Sequence, residues 1–140
     1  MDHHPVAHAL MRAASTLVST PWSLNMNGVE WIIEAHGCDT SALADQSRLE
    51  TVFQKLIAQL DLHPLGKSNW HQFPNTGGIT GVTLLSESHL ACHTFPEYGS
   101  LCLNLFCCRP RPATDFESLL KHEFGAERVS VRQVDRPYQP

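Results

Sequence analysis

From residue 28 onward the apolar positions recur with two different periods. Residues 29–35 (VEWIIEA) are rich in β-branched and aromatic side chains and end at His36-Gly37, which predicts a strand. Leu49, Val52, Phe53, Leu56, Ile57 and Leu60 follow in steps of three and one, so they form one stripe along a helix. Ser47 and Glu50 have the spacing of a capping box at its start, and Pro64 cannot continue it. Residues 66–73 (GKSNWHQF) predict a weak strand, and Pro74-Asn75-Thr76-Gly77-Gly78 a turn. Residues 79–85 and 88–95 predict two more strands, and Pro96-Glu97-Tyr98-Gly99 breaks the chain again. In residues 101–108, Leu101, Leu103 and Leu105 point one way and Cys102, Asn104, Phe106 and Cys108 the other. The leucine face calls for helices. The opposite face is neither polar nor fully apolar, which suits a site or a second sheet packed against it. Thr114 and Glu117 repeat the capping box, Phe116, Leu119, Leu120 and Phe124 form a second helical stripe, and Gly125 is its stop. Val129 and Val131 alternate with Ser130 and Arg132 in a final strand.

The order strand, helix, several strands, helix, strand predicts an α+β domain of two layers, with helices on one face of a largely antiparallel sheet. The domain is expected over residues 26–140. Residues 1–25, with Pro5, Pro21, a His cluster and a short helix-compatible stretch at 7–18, are expected to form an extension, mobile or docked as one loose helix.

Composition narrows the function classes. Apolar residues make up 42% and charged residues 17%, enough for a core and too little charge for a disordered chain. Ten Lys and Arg are scattered against 14 Asp and Glu, a net charge of -4, which argues against a nucleic-acid footprint. No apolar run approaches the roughly 18 residues of a membrane span, and the N-terminal MDHHPVAHALMRAAS lacks the pattern of an export signal. Five cysteines, Cys38, Cys92, Cys102, Cys107 and Cys108, are an odd number with two adjacent and no CxxC pair. Reduced thiols in the cytoplasm are therefore expected rather than a disulfide framework or a structural zinc site.

Residues 85–108 concentrate the reactive side chains: Glu87, Ser88, His89, Cys92, His93, Glu97, Cys107 and Cys108. Three readings of them stand side by side. A metal site would use His89, His93 and Cys92, but same-side strand residues four apart lie about 13 Å apart, too far to share an ion; no metal is expected. A cysteine hydrolase would use Cys108, His93 and Asn104, yet Cys108 ends an apolar strand instead of sitting on an exposed turn. A structural reading takes the cysteines as buried and the histidines as satisfied hydrogen-bonding groups, and it suits Cys38, Cys92, Cys102 and Cys107 individually.

Taken together, Glu87-Ser88-His89-Leu90, His93-Thr94-Phe95-Pro96-Glu97-Tyr98-Gly99, Phe106 and Cys108 resemble the small bacterial and archaeal S-adenosylmethionine decarboxylase proenzymes. The family pattern is ESHLxxHTxPE, with a cysteine twenty residues after the serine, and Ser88 plus twenty is Cys108. Glu34-Ala35-His36-Gly37-Cys38-Asp39 resembles the family's first-strand ending, and His71-Gln72-Phe73 and Thr80-Gly81-Val82 match in order. The likeness covers residues 29–131.

The resemblance implies self-cleavage between Glu87 and Ser88 into pieces 1–87 and 88–140. Ser88 would attack the carbonyl of Glu87, and β-elimination would leave a pyruvoyl group at residue 88, the cofactor, whose ketone takes the substrate amine as a Schiff base. His93 is implied as the processing base and Thr80 as the hydroxyl that assists the acyl shift. Cys108 is implied as the acid that returns a proton to the substrate Cα. Glu97 is implied to bond ribose hydroxyls and Phe73 and His93 to sandwich adenine, with Asn104 on the site-facing side of its strand. Asn104 stands where the family often has Asp, Phe95 replaces a common Trp, and Arg109 and Arg111 add charge after the cysteine. The implied function is decarboxylation of S-adenosylmethionine to the aminopropyl donor of spermidine biosynthesis. The alternatives are an arginine or ornithine decarboxylase on the same machinery and an unprocessed, inactive homologue that acts as a binding or regulatory partner. A cytoplasmic homodimer is expected, sheets facing and helices outside.

Overall fold

The computed structural model describes residues 27–138; the predicted extension over 1–25 lies outside them. Six strands form one antiparallel sheet, and every pairing in it is antiparallel. In chain order they are β1 (Asn27–His36), β2 (Asn69–Gln72), β3 (Ile79–Leu85), β4 (Ser88–Phe95), β5 (Ser100–Cys107) and β6 (Arg128–Pro137), arranged in space as β2-β3-β4-β5-β1-β6. Three helices accompany the sheet: α1 (Thr40–Leu43), α2 (Gln46–Gln59) and α3 (Phe116–Phe124).

Alternation decides which face is covered. Leu101, Leu103, Leu105 and Cys107 of β5 are buried, together with Trp31 and Ile33 of β1 and Leu90 and Cys92 of β4. They meet Leu49, Val52, Phe53 and Leu56 of α2 and Phe116, Leu120 and Phe124 of α3 in one core. Burying such side chains contributes about 1.5–3 kcal/mol each, which is what holds short helices to the sheet. Lys55 on α2 pairs with the buried Glu123 on α3, and Arg48 Nη1 donates to the Glu123 carbonyl at 2.9 Å, tying the two helices together. Gly81 is required where it stands: a Cβ there would come within 2.1 Å of the Trp70 ring, which packs 4.9 Å from Phe53.

Local detail departs from the sequence reading at the helix starts. The N-cap of α2 is Asp45, not Ser47, and that of α3 is Asp115, not Thr114. In both, the reciprocal glutamate is drawn elsewhere: Gln46 Nε2 donates to Glu50 at 2.8 Å, and Glu117 pairs with Lys121 at 2.6 Å. Asp115 accepts from the backbone N–H of Ser118 at 2.9 Å and leaves a capping box nothing to cap. α1, which no apolar stripe announced, is one turn capped by Asp39, whose Oδ1 accepts from Ser41 N–H at 2.8 Å. α2 ends at Gln59, with Leu60 as its C-cap, several residues before Pro64. Gly125 closes α3 in the left-handed conformation, at φ 63°, and donates to the Lys121 carbonyl.

Candidate active site

The β3–β4 hairpin turns through Ser86 and Glu87, so Leu85 pairs with Ser88. β4 and β5 are joined by a 3-10 turn at Pro96–Tyr98 and by Gly99, and their register sets Ser88 opposite Cys107. The next position out therefore sets Cys108 against Glu87, and the Cys108 backbone N–H donates to the Glu87 carbonyl at 3.1 Å. The spacing of twenty is thus a consequence of register: two eight-residue strands and a tight turn return the chain to the residue before the serine. Arg109 Nη2 lies 3.0 Å from Glu87 Oε1. Ser86 is exposed, while Glu87, Ser88 and Cys108 are half-buried. Cys107 is fully buried; burial pushes its thiol pKa up, against the opposing pull of the Ser88 and Arg111 side chains.

The uncovered face of the sheet carries Thr80 and His93, with Phe73 and Glu97 on connections beyond the strands. Thr80 Oγ1 and His93 Nδ1 are 3.1 Å apart across β3 and β4. Phe73 follows β2, half exposed, with its ring edge-on to His71 at 4.8 Å, and Glu97 sits in the 3-10 turn. Five strand steps separate Ser88 from His93, about 17 Å along β4, and the two side chains have opposite parity. One chain therefore brings Glu87, Ser88 and Cys108 together at one end of the sheet and Thr80, His93, Phe73 and Glu97 towards the other. The triad Cys108–His93–Asn104 does not assemble. His89 and His93 have separate partners, and among the described residues no three His, Cys, Asp or Glu converge.

Asn104 lies between the two groups in a chain of polar contacts across four strands. His89 Nε2 and Asn104 Oδ1 are 3.0 Å apart, Asn104 Nδ2 donates to Glu30 Oε1 at 2.6 Å, and Arg136 pairs with the other Glu30 oxygen. Because Glu30 accepts, Asn104 must turn its oxygen to His89, so His89 Nε2 carries the proton. The His89 ring stacks on Phe106 at 5.8 Å, and Arg136 lies over the same ring. The Asn104 hydrogen bond, then Arg136, hold the Glu30 carboxyl below its usual range against the opposing cost of burial. Glu34 and Arg132 form a parallel pair at 2.7 Å. Sequence reading passed over Glu30 and Arg136. The available signal was two glutamates four apart within an apolar strand and two arginines four apart in the last strand.

The open face holds a shallow depression of about 100 Å³, lined by Ile32, Glu34, Ala91, His93, Cys102 and Asn104. Small-molecule sites need roughly 300–1,000 Å³. Larger clefts lie elsewhere, of about 670 Å³ beside Lys55 and His122, about 400 Å³ beside Trp31 and Arg111, about 380 Å³ beside Trp70 and Lys67 and about 350 Å³ beside Asp39 and Phe124, and none of them is lined by Ser88 or Cys108.

Known proteins resemble this chain in sequence and in fold. The chain is 32% identical over 117 residues to the S-adenosylmethionine decarboxylase proenzyme of Carboxydothermus hydrogenoformans, an alignment covering 81% of this chain and 88% of that one. It is 31% identical over 110 residues to the protein of the same description from Thermoplasma volcanium, covering 78% and 83%. The crystal structure of the adenosylmethionine decarboxylase from Aquifex aeolicus shares the fold, with a TM-score of 0.64 at 18% identity over 81% of this chain and 93% of that one. The family model described as S-adenosylmethionine decarboxylase matches residues 29–137, nearly the whole described domain, and the chain belongs to that family.

Proposed function

We propose that this chain is a self-processing, pyruvoyl-dependent decarboxylase of S-adenosylmethionine, cleaved between Glu87 and Ser88 and supplying the aminopropyl donor of spermidine biosynthesis. The observation that carries the reading is the placement of Cys108 against the Glu87–Ser88 bond by the β4–β5 register, in a chain of this family. The residues fit the group that must be made there. Ser88 offers a hydroxyl on Cβ, both nucleophile and leaving group, at the partly accessible first position of β4. Once formed, the ketone supplies an electron sink for the carboxylate that leaves. The half-buried Cys108, tied to Glu87 through its backbone N–H, supplies the thiol that delivers a proton to the substrate Cα. Glu97 and Phe73 bind the ribose and adenine, Phe73 acting with His93.

The separation of Ser88 from His93 supports a homodimer with its open sheet faces together. General-base catalysis needs the base within hydrogen-bond reach of its proton, or one water away. In one chain His93 is about 17 Å off, so the partner subunit's His93 and Thr80 serve Ser88. Leu84, Val82 and Phe95, all exposed on the uncovered face, give such an interface apolar area, and a second sheet deepens the shallow depression into a site. Among the described residues no helix is long and apolar enough to cross a membrane. Five free thiols support a cytoplasmic setting.

Intact mass spectrometry of freshly made protein tests the cleavage: two pieces, 1–87 and 88–140, are expected. A single species of 15.6 kDa in active material overturns it. Release of CO2 from S-adenosylmethionine, arginine and ornithine, compared side by side, tests the substrate; reaction of the amino acids alone overturns that assignment.

A further inference from the structure

The contact between Cys108 N–H and Glu87 O touches the atom on which charge develops during cleavage. We propose that the backbone N–H of Cys108 is the oxyanion donor of the self-cleavage step, with the Arg109 guanidinium as a weaker outer charge; the inference rests on the cleavage reading above.

The electron count makes the carbonyl oxygen the point that needs help. Ser88 Oγ forms a bond to the Glu87 carbonyl carbon, and the π pair of that carbonyl moves onto its oxygen. Collapse of the adduct restores the C=O and breaks the C–N bond to residue 88. The hydroxyl proton travels through water to the departing nitrogen, so the step is an isomerisation from amide to ester with nothing lost or gained. The full negative charge exists only in the adduct, so a donor fixed in advance favours the transition state over the starting amide.

The donor is fixed in advance. Cys108 N–H stands 3.1 Å from Glu87 O, at the edge of the 2.7–3.1 Å range in which such donors work. Three restraints hold it there. The β4–β5 ladder ends one residue earlier at Ser88 and Cys107. The Cys108 carbonyl accepts from Tyr138 Oη at 3.2 Å. Arg109 reaches back to Glu87 Oε1 at 3.0 Å, so both neighbours of the donor grip the same turn. Arg109 is 68% exposed, so its charge is screened and its share is small. After the ester eliminates, the same oxygen belongs to the new carboxylate of Glu87, and the same N–H and guanidinium hold the cut end.

The test removes one hydrogen. A synthetic 107–140 segment, joined at Cys107 to a 1–106 thioester, restores the full chain. A second version carries at 108 the α-hydroxy acid analogue of cysteine, which keeps the thiol and replaces N–H by an ester oxygen. Both are refolded and the appearance of 1–87 and 88–140 is timed by mass spectrometry. The expected result is cleavage about 100-fold slower in the ester chain. Equal rates overturn the proposal and leave the cleavage reading intact. Failure of the all-amide chain to split overturns the reading and the proposal together. If the ester chain does not regain its far-UV spectrum, amide exchange in uncleaved Ser88→Ala protein decides. Cys108 N–H is expected to exchange more than about 10-fold below the unstructured rate, and unprotected exchange overturns the proposal.

Discussion

The two ends of β4 differ in what they hold and in what they lack. At the Ser88 end the backbone does the positioning: a two-residue turn, a ladder in register and one N–H fix the Glu87–Ser88 peptide against Cys108. At the His93 end, side chains on an uncovered face do it, with His93 held by Thr80 and Phe73 and Glu97 nearby on turns. On the proposed reading, the first end carries a nucleophile and an acid and no base, and the second a base and recognition groups and nothing to act on. ESHLxxHTxPE is compact as text, yet eight of its eleven positions lie on β4, run its whole length and alternate between the faces of the sheet.

The largest effect tests the first end alone. Ser88→Ala removes the nucleophile, and the chain is expected to remain a single species on mass spectrometry with no detectable CO2 release. The second prediction asks whether the ends meet across a dimer. Neither Ser88→Ala nor His93→Ala should split by itself. Refolded together, the mixed dimer pairs an intact Ser88 with the other subunit's intact His93, so part of the His93→Ala chain should split. No split product in the mixture would mean that the base acts within its own chain. Third, Cys108→Ala keeps the N–H and should self-cleave, while kcat for decarboxylation falls about 10²- to 10⁴-fold.

The smallest effect lies between the ends, at Glu30. Its carboxyl is held below the ordinary 4.5, so its ion-pair stabilisation is fully present above that value and is lost as pH falls through the lower folded value. Glu30→Gln should therefore lower the thermal midpoint by a few degrees near pH 7, for a loss of about 1 kcal/mol. The gap should close below pH 4.5, and one that widens in acid would contradict the assignment.

Much of the fold was legible because apolar period and burial are the same fact on a strand or an amphipathic helix. The leucines of β5 and the stripes of α2 and α3 are buried as their spacing predicts. The caps were not legible. Asp45 and Ser47, or Thr114 and Asp115, are chemically equal candidates, and the choice depends on where the preceding chain arrives. α1 escaped because a single turn has no period to detect. In the candidate site, the approach of Cys108 to the Glu87–Ser88 turn was readable from a spacing that encodes register. The link from His89 through Asn104 to Glu30 and Arg136 was not, since it joins four strands whose order in the sheet is not their order in the chain. Asn104 reads as a lost charge in sequence. In the fold it is a bridge to a carboxylate one strand away.

The strand order has a mechanical consequence for a chain severed at its 87–88 turn. One fragment would own β1, β2 and β3 with α2, the other β4, β5 and β6 with α3, and the sheet shuffles them: β3 beside β4, β5 beside β1, β1 beside β6. Each fragment is laced into the other along three seams, with Lys55 and Glu123 as a further stitch between helices. Parting them would mean unzipping every seam at once, so the nicked molecule should melt as one body. With no covalent tether left, reassembly becomes a meeting of two molecules, and the melting point should rise with protein concentration.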